Sequence, residues 1–432
     1  MSHAEKPLQG GPSVHDAAFV HYLEDLYPGK ADAARTRYGA LERQFVNAYG
    51  VAPVLYASAP GRVEVGGNHT DHNHGRVLAA AIDLDAIAAA APTADGMITV
   101  TSEGYQHPVS VRCDETAAKK DESGTTQSLV RGIVARFKEK GYRTGGFRAH
   151  ITSQVAPGSG LSSSAAVEVL IGTILNGLFN DGAIAPEEIA AIGQFAENVY
   201  FGKPCGLMDQ TASAVGGIVT IDFRDPGKPE IRQLKRSFGE FGLQVLVIHT
   251  GGSHADLTPE YAAVPAEMKA VAQALGGRVC RDIADEQALV AALPGLRAVA
   301  GDRAVLRALH FLRETARVGE QVHALESGDI AGFLGGVIAS GRSSAFWLQN
   351  CYPSSAPTEQ GIMLALALTE QYPGVAQRGG WRVHGGGFAG TMLAILPGDL
   401  VPGYRAAMEA VFGAGSVAVL TARQAGAVWF RL

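Results

Sequence analysis

Cysteine is scarce in this chain: Cys113, Cys205, Cys280 and Cys351 are widely spaced and form no C-x-x-C pair. Such spacing argues against a disulfide framework and leaves reduced thiols as the default. Charge of one sign is also lacking. The 36 Lys and Arg stand against 42 Asp and Glu, a net charge of −6, which argues against nucleic acid or an anionic membrane surface as the main partner. The basic run Lys119-Lys120 is too dilute to make a patch. No apolar run of 18 or more residues is free of breaks and charges, so no membrane span is expected. The start, Met1-Ser2-His3-Ala4-Glu5-Lys6, lacks the charged-then-apolar layout of a secretory signal. Internal repeats and low-complexity tracts are missing too. The expectation is a soluble cytoplasmic monomer whose 432 residues, 47% hydrophobic, can build two sizeable cores.

What is present is chemistry concentrated at turns. Pro157-Gly158-Ser159-Gly160-Leu161-Ser162-Ser163-Ser164-Ala165 joins a strand-like segment to a long apolar helix. Upstream, Ala149, Ile151, Ser153 and Val155 alternate with polar residues. Downstream, Ala165 to Ile171 and then Ile174, Leu175 and Leu178 read as a mostly buried helix. A turn in this position presents free backbone N–H groups and the positive end of a helix dipole, which suits an anion. Three hydroxyls, expected in the first helical turn, add donors and a possible Mg²⁺ ligand, so a nucleoside triphosphate fits. No Lys follows the glycines as in a Walker loop, and the G-x-G-x-x-G spacing is absent.

Two further segments carry chemical groups. Pro60-Gly61-Arg62-Val63 leads to Gly67-Asn68-His69-Thr70-Asp71-His72-Asn73-His74, a polar cluster ahead of the apolar run Val77 to Ile82. Asn68, His69 and Asp71 are short, rigid donors and acceptors suited to a hydroxyl-rich ligand such as a sugar. His69, His72 and His74 beside Asp71 raise a metal reading, but their spacing matches neither H-E-x-x-H nor a zinc pattern. Farther on, Pro186 with Glu187 and Glu188 starts a helix whose apolar face carries Glu197 at its edge. Asp209 follows the break Gly202-Lys203-Pro204-Cys205-Gly206 and so lies on a separate element. Cys205 reads equally well as a pocket-lining residue or a small packing residue.

With His384-Gly385-Gly386-Gly387-Phe388-Ala389-Gly390 as a third glycine segment, and Cys205-Gly206-Leu207-Met208-Asp209-Gln210 before it, the ordered set resembles the galactokinase branch of the GHMP small-molecule kinases. The similarity runs from about Tyr56 to the C-terminus. It implies an α+β, two-lobed GHMP kinase fold, with a ribosomal-protein-S5-like half at 1–228, a ferredoxin-like half at 229–432, and the active site between them. It implies ATP and Mg²⁺ as cofactor requirements and phosphorylation of a hexose at the anomeric hydroxyl. Asp209 would be the catalytic carboxylate and Arg62 its stabilising partner. The segment 157–165 would hold the ATP phosphates, and Ser163 with Glu197 would hold the metal. Asn68, His69, Asp71, Gly206 and Tyr261 would line the sugar pocket, although around Tyr261 the match is loose.

The chain departs from that pattern at Glu64, Gly66, Asn68 and His72, where galactokinases usually carry Asn, an apolar residue, Glu and Tyr. An Asn in place of Glu removes a negative charge at the far end of the pocket. Such a pocket could hold galactose or tolerate a uronic acid. Galactose is therefore the first expectation, with galacturonate or arabinose as alternative substrates. A non-catalytic sugar and ATP sensor on the same fold is the alternative from another class, disfavoured by the intact Ser162-Ser163-Ser164, Glu197, Arg62 and Asp209. Elsewhere, the first 40 residues read as helical and polar with a break at Tyr27-Pro28-Gly29, and Asp222 to Pro229 reads as the best linker. Gln244 to His249, Trp381 to His384 and Thr391 to Leu396 read as strands, and Glu267–Leu275 and Asp302–Leu325 as helices. The third glycine segment is expected to pack against the phosphate loop.

Overall fold

The computed structural model describes residues 17–252 and 257–432. Its strands, in chain order, are β1 (Leu55–Gly66), β2 (Arg76–Thr93), β3 (Met97–Ser102), β4 (Val109–Arg112), β5 (Gly146–Ser153), β6 (Ile218–Asp222), β7 (Glu230–Leu234), β8 (Leu243–His249), β9 (Gly380–Val383), β10 (Thr391–Pro397), β11 (Val417–Leu420) and β12 (Val428–Arg431). They form two sheets, one ordered β12-β1-β2-β5-β3-β4 with β6 and β7 branching from β2, the other β11-β8-β10-β9. All pairings are antiparallel except β3 with β5. β2 serves three neighbours: β1 runs alongside it, β6 takes its first residues and β5 its last.

Strand alternation explains how the second sheet is used. Val245, Val247, Leu393 and Ile395 point to one face and join the core of the first sheet. Leu246, Ile248, Met392, Ala394 and Leu396 point to the other and pack with the helices Gly361–Gln371 and Val401–Phe412. Successive side chains face opposite ways along a strand, so a sheet buried on both faces reads as the continuous apolar run seen here. The helix Ser163–Phe179 is apolar nearly all round and lies inside the first core, with Val169, Leu170, Ile171, Ile174 and Leu175 at or below 1% exposure. The 26-residue helix Asp302–Ser327 bridges two cores, giving Val318, Val322 and Leu325 to one and Val305, Ala308 and Phe311 to another.

The helices Ala17–Leu26 and Ala31–Tyr49 flank the expected break, but they are not polar throughout. Phe19, Leu23, Tyr38, Leu41 and Phe45 form an apolar face that packs with Tyr56, Ile87 and Ala89 of β1 and β2. The stretch Asp222–Pro229, read as a linker, is a hairpin turn, because Asp222 pairs with Glu230 and β7 stays in the first sheet. The chain also returns to that sheet at its end, where β12 pairs with β1. Among the described residues no helix is long and apolar enough to cross a membrane, and all four cysteines are free.

Candidate active site

Arg62 lies at an irregularity of β1, where pairing with β2 jumps from Pro60 to Arg62. Such bulges re-aim side chains next to functional sites. Its guanidinium grips Asp209, the second residue of the helix Met208–Val215, through Nε to Oδ1 and Nη2 to Oδ2, both at 2.6 Å. The remaining Nη1 donates to the Gly160 carbonyl at 2.6 Å. Ser162 Oγ donates to Asp209 Oδ2 at 2.5 Å. This paired, charge-assisted geometry sets both position and orientation. Burial by itself would raise the Asp209 carboxyl, but the Arg62 charge, its hydrogen bonds and the Ser162 hydroxyl outweigh it and hold the group below its ordinary 3.8. The Asp209 side chain stays 30% exposed while Arg62 is 8% exposed, so the carboxylate keeps an open face.

The glycine-serine loop bends through Gly158 and Gly160, both at φ 74°, and Ser162 at φ 65°. Ser162 therefore precedes the helix instead of joining its first turn, because a left-handed residue cannot continue a right-handed one. No side chain caps the N-terminus of the helix Ser163–Phe179, leaving its first N–H groups for a ligand. Leu161 and Ala165 are core side chains, and the Ser159 hydroxyl donates to Ala156 O. These three residues can offer a phosphate only backbone.

Glu197 sits on the π-helical turn Ala196–Phe201, a local widening common at functional sites. It is buried, accepts from Gln210 Nε2 at 2.9 Å and Lys203 Nζ at 3.2 Å, and faces Ser164 Oγ at 3.4 Å. The hydroxyl beside Glu197 is thus that of Ser164, not the expected Ser163, because the turn at Ser162 sets which helical position faces it. A carboxylate and a hydroxyl are hard oxygen donors, the set by which Mg²⁺ is held together with phosphate oxygens. Among the described residues no group of three His, Cys, Asp or Glu could hold a metal alone, so the histidines around Asp71 form no such site. Two contributors escaped sequence reasoning. Gln210 links Glu197 to Glu168, whose carboxyl is pushed up to about 8 by burial and then by the Glu197 charge. The available signal was an acid standing alone in the apolar run after Ala165.

A second cluster lies where the first and third glycine segments meet. His69 Nε2 donates to Gly386 O at 2.9 Å. Burial lowers its pKa to about 4, which leaves a neutral ring with Nδ1 as acceptor. Asp71 Oδ1 accepts from His72 N at 2.9 Å, and Oδ2 lies against Gly206, where a Cβ would fall 1.8 Å from it. Tyr261 donates its hydroxyl to Gly387 O at 3.2 Å and meets the Phe388 ring edge-on at 5.4 Å. Glu64 N donates to His384 Nε2 at 3.2 Å, and the Gly160 Cβ position is 3.2 Å from His384 Nδ1. The third segment therefore packs against both other motifs, as expected.

Asn68 is the exception. It is fully buried, and both ends of its amide are engaged: Nδ2 donates to Glu64 Oε1 at 2.8 Å and Gly385 O at 2.7 Å, and Oδ1 accepts from Asn350 Nδ2 at 2.8 Å and Ser344 Oγ at 3.2 Å. An amide offers two donors and two acceptor sites, so none is left for the sugar contact expected of this residue.

Comparison with known proteins bears on the family and the fold. Residues 128–217 match the GHMP kinases N-terminal domain, and residues 43–92 match the galactokinase galactose-binding signature. A galactokinase of Streptomyces coelicolor is 33% identical over 385 residues, covering 88% of this chain and 94% of that protein. The Lactococcus lactis galactokinase, solved in complex with galactose, superimposes with a TM-score of 0.76 at 23% identity, covering 91% of this chain and 99% of its own. The mevalonate kinase of Methanococcus jannaschii shares the fold more distantly, with a TM-score of 0.58 at 14% identity over 86% of this chain and 98% of its own. With a bidentate Arg–Asp pair at the mouth of a glycine-serine loop and a relative matched along most of its length, the chain belongs to the galactokinase family of GHMP kinases.

Proposed function

We propose that this protein transfers the terminal phosphoryl group of ATP to the anomeric hydroxyl of galactose, giving galactose 1-phosphate and ADP. The observation that carries this reading is the open carboxylate of Asp209, held by Arg62 and Ser162 against the phosphate loop and lying three residues after Gly206, which packs on Asp71. Phosphoryl transfer passes through a loose, charge-spread transition state, so alignment and charge stabilisation do most of the work. Asp209 accepts the hydrogen bond of the sugar hydroxyl and aims its oxygen at the phosphate. Being ionised and weakly basic, it takes the proton late. Arg62 acts by fixing Asp209 and the Gly160 carbonyl in one frame. Loop N–H groups and the helix N-terminus receive the phosphates. Glu197 and Ser164 would hold Mg²⁺, which when bound neutralises phosphate charge. The division into lobes at 1–228 and 229–432 belongs to this reading, with β7 still paired in the first sheet and β12 returning to it.

The case for a uronic acid rested on Asn68 facing the sugar, and its engaged amide removes that argument. An ADP-release assay with galactose, galacturonate, arabinose and N-acetylgalactosamine tests the proposal. Galactose is expected to give the highest kcat/KM. Silence on every sugar with ATP still bound would favour the sensor instead.

The contact between Gly206 and Asp71 gives a further test. A methyl group at 206 has no room beside Asp71 Oδ2, so Gly206→Ala must displace that carboxylate. The KM for galactose is expected to rise about tenfold or more, the loss of roughly one charged hydrogen bond, with the KM for ATP nearly unchanged. An unchanged galactose KM would remove Asp71 from the pocket.

A further inference from the structure

Two of the departures from the family pattern, Glu64 and Asn68, meet in one buried place, and a third, Gly66, lies between them in the chain. Glu64 Oε1 accepts from Arg382 Nη2 at 2.7 Å, with the two side chains 6% and 0% exposed. The same oxygen accepts from Asn68 Nδ2 at 2.8 Å. Asn68 is held from every side: by Gly385 O, by Asn350 and Ser344, and through its own carbonyl by His310 Nε2 at 2.9 Å. Gly66 makes room for Gln321, whose Oε1 lies 2.2 Å from the Cβ position. Among the described residues the Arg382 guanidinium has one carboxylate at contact distance, its Nε and Nη1 have no hydrogen-bond partner, and the buried Glu314 acts on it from farther off.

We propose that Glu64 and Asn68 act as one positioning unit for the turn His69–Asp71, in which a single carboxylate shared between the two positions and set opposite Arg382 holds the turn, and neither side chain touches the sugar. The inference rests on the sugar 1-kinase reading above. A second carboxylate at 68 would put two ionised oxygens where a donor and an acceptor now lie 2.8 Å apart, and would face the Gly385 carbonyl. Burial already pushes the Glu64 carboxyl up, with Arg382 and Arg62 pulling it back, and a like charge would add to that push. With no carboxylate at either position, the buried guanidinium would lose its contact-distance counter-charge and keep only the more distant Glu314, which is costly. Moving the charge from 64 to 68 removes the like-charge pair and keeps one carboxylate in the cluster, at the cost of an acid that still faces the Gly385 carbonyl. In that arrangement a Gln at 64 donates to the acid, and Asn350 and Ser344 already point donors at the position-68 oxygen.

Near-isosteric exchanges move the charge while conserving volume: Asn68→Asp, Glu64→Gln, and the two combined. The galactose kcat/KM of Asn68→Asp is expected to fall about 100-fold, mostly through KM for the sugar, with KM for ATP within about threefold of the parent. Glu64→Gln is expected to lose about tenfold. The combined variant should return to within about tenfold of the parent, better than Asn68→Asp, and its melting temperature should exceed that of Asn68→Asp. Such reversal is the coupling expected of touching residues. If Asn68→Asp does not fold while the combined variant does, the unit is supported. If the effects simply add in both KM and melting temperature, or if Asn68→Asp matches the parent, it is refuted. A parent chain inactive on every sugar would instead refute the kinase reading, and the melting temperatures would still decide the charge exchange.

Discussion

Asp209→Asn is expected to lower kcat by about 10³-fold or more while the protein folds and binds ATP as before, the scale of a lost general base together with lost orientation. Asn is the informative replacement. It keeps an acceptor for Arg62, whereas Ala would leave a nearly buried guanidinium without its partner. Single-turnover transfer from ATP to galactose, with ATP affinity by calorimetry, separates chemistry from binding. A near-parental kcat would end the assignment. The sign of the pH dependence is also set. The Asp209 pKa lies below its ordinary 3.8, so the carboxylate works when ionised and is lost only as pH falls through that depressed value. The acid limb of kcat/KM should therefore not report Asp209 near neutrality.

The largest effect on stability is expected at Asp85, which is fully buried. It accepts from Arg423 Nη1 at 2.8 Å and Ser58 Oγ at 2.5 Å, and also from Arg37 and the Tyr27 hydroxyl. One carboxylate thus joins the turn between the N-terminal helices, the second of those helices, β1, β2 and the segment before β12. Asp85→Asn leaves two arginines, one of them 2% exposed, without their counter-charge. Breaking a buried pair in this way costs about 3–5 kcal/mol, which in a chain of this size lowers Tm by about 4 °C. A Tm within about 1 °C of the parent would contradict this account. Burial would raise the Asp85 pKa, yet Arg37 and Arg423 bring it below 3.8. Its contribution is accordingly present above the unfolded value and is lost as pH falls through the depressed one.

Much of this was legible in the residues. Strands at Leu243–His249 and Thr391–Pro397 and the helix Asp302–Ser327 follow from side-chain periodicity, whereas the helix read at Glu267–Leu275 begins nine residues earlier, at Thr258, and runs through Pro265. The glycine loops, the turn before Asp209 and the alternatives to a Walker loop follow from local backbone chemistry. Glu168 and Gln210 could have been flagged, since a polar pair in an apolar setting needs a partner. The reading of Asp222–Pro229 failed for a different reason: a run of turn residues looks the same whether it joins two lobes or two paired strands.

Sequence order and local pattern were enough to establish the elements, the three motifs and the kind of chemistry. Only packing decided which hydroxyl meets which acid, with Ser162 on Asp209 and Ser164 by Glu197. Packing likewise turned Asn68 away from the ligand and toward Glu64, Asn350 and Gly385. The reason is physical: periodicity and turn propensity act over a few residues, whereas Arg62 with Asp209, Glu64 with Arg382 and Asn68 with Asn350 are separated by 147, 318 and 282 positions. Those separations close only in the assembled tertiary structure, and no local signal carries that information.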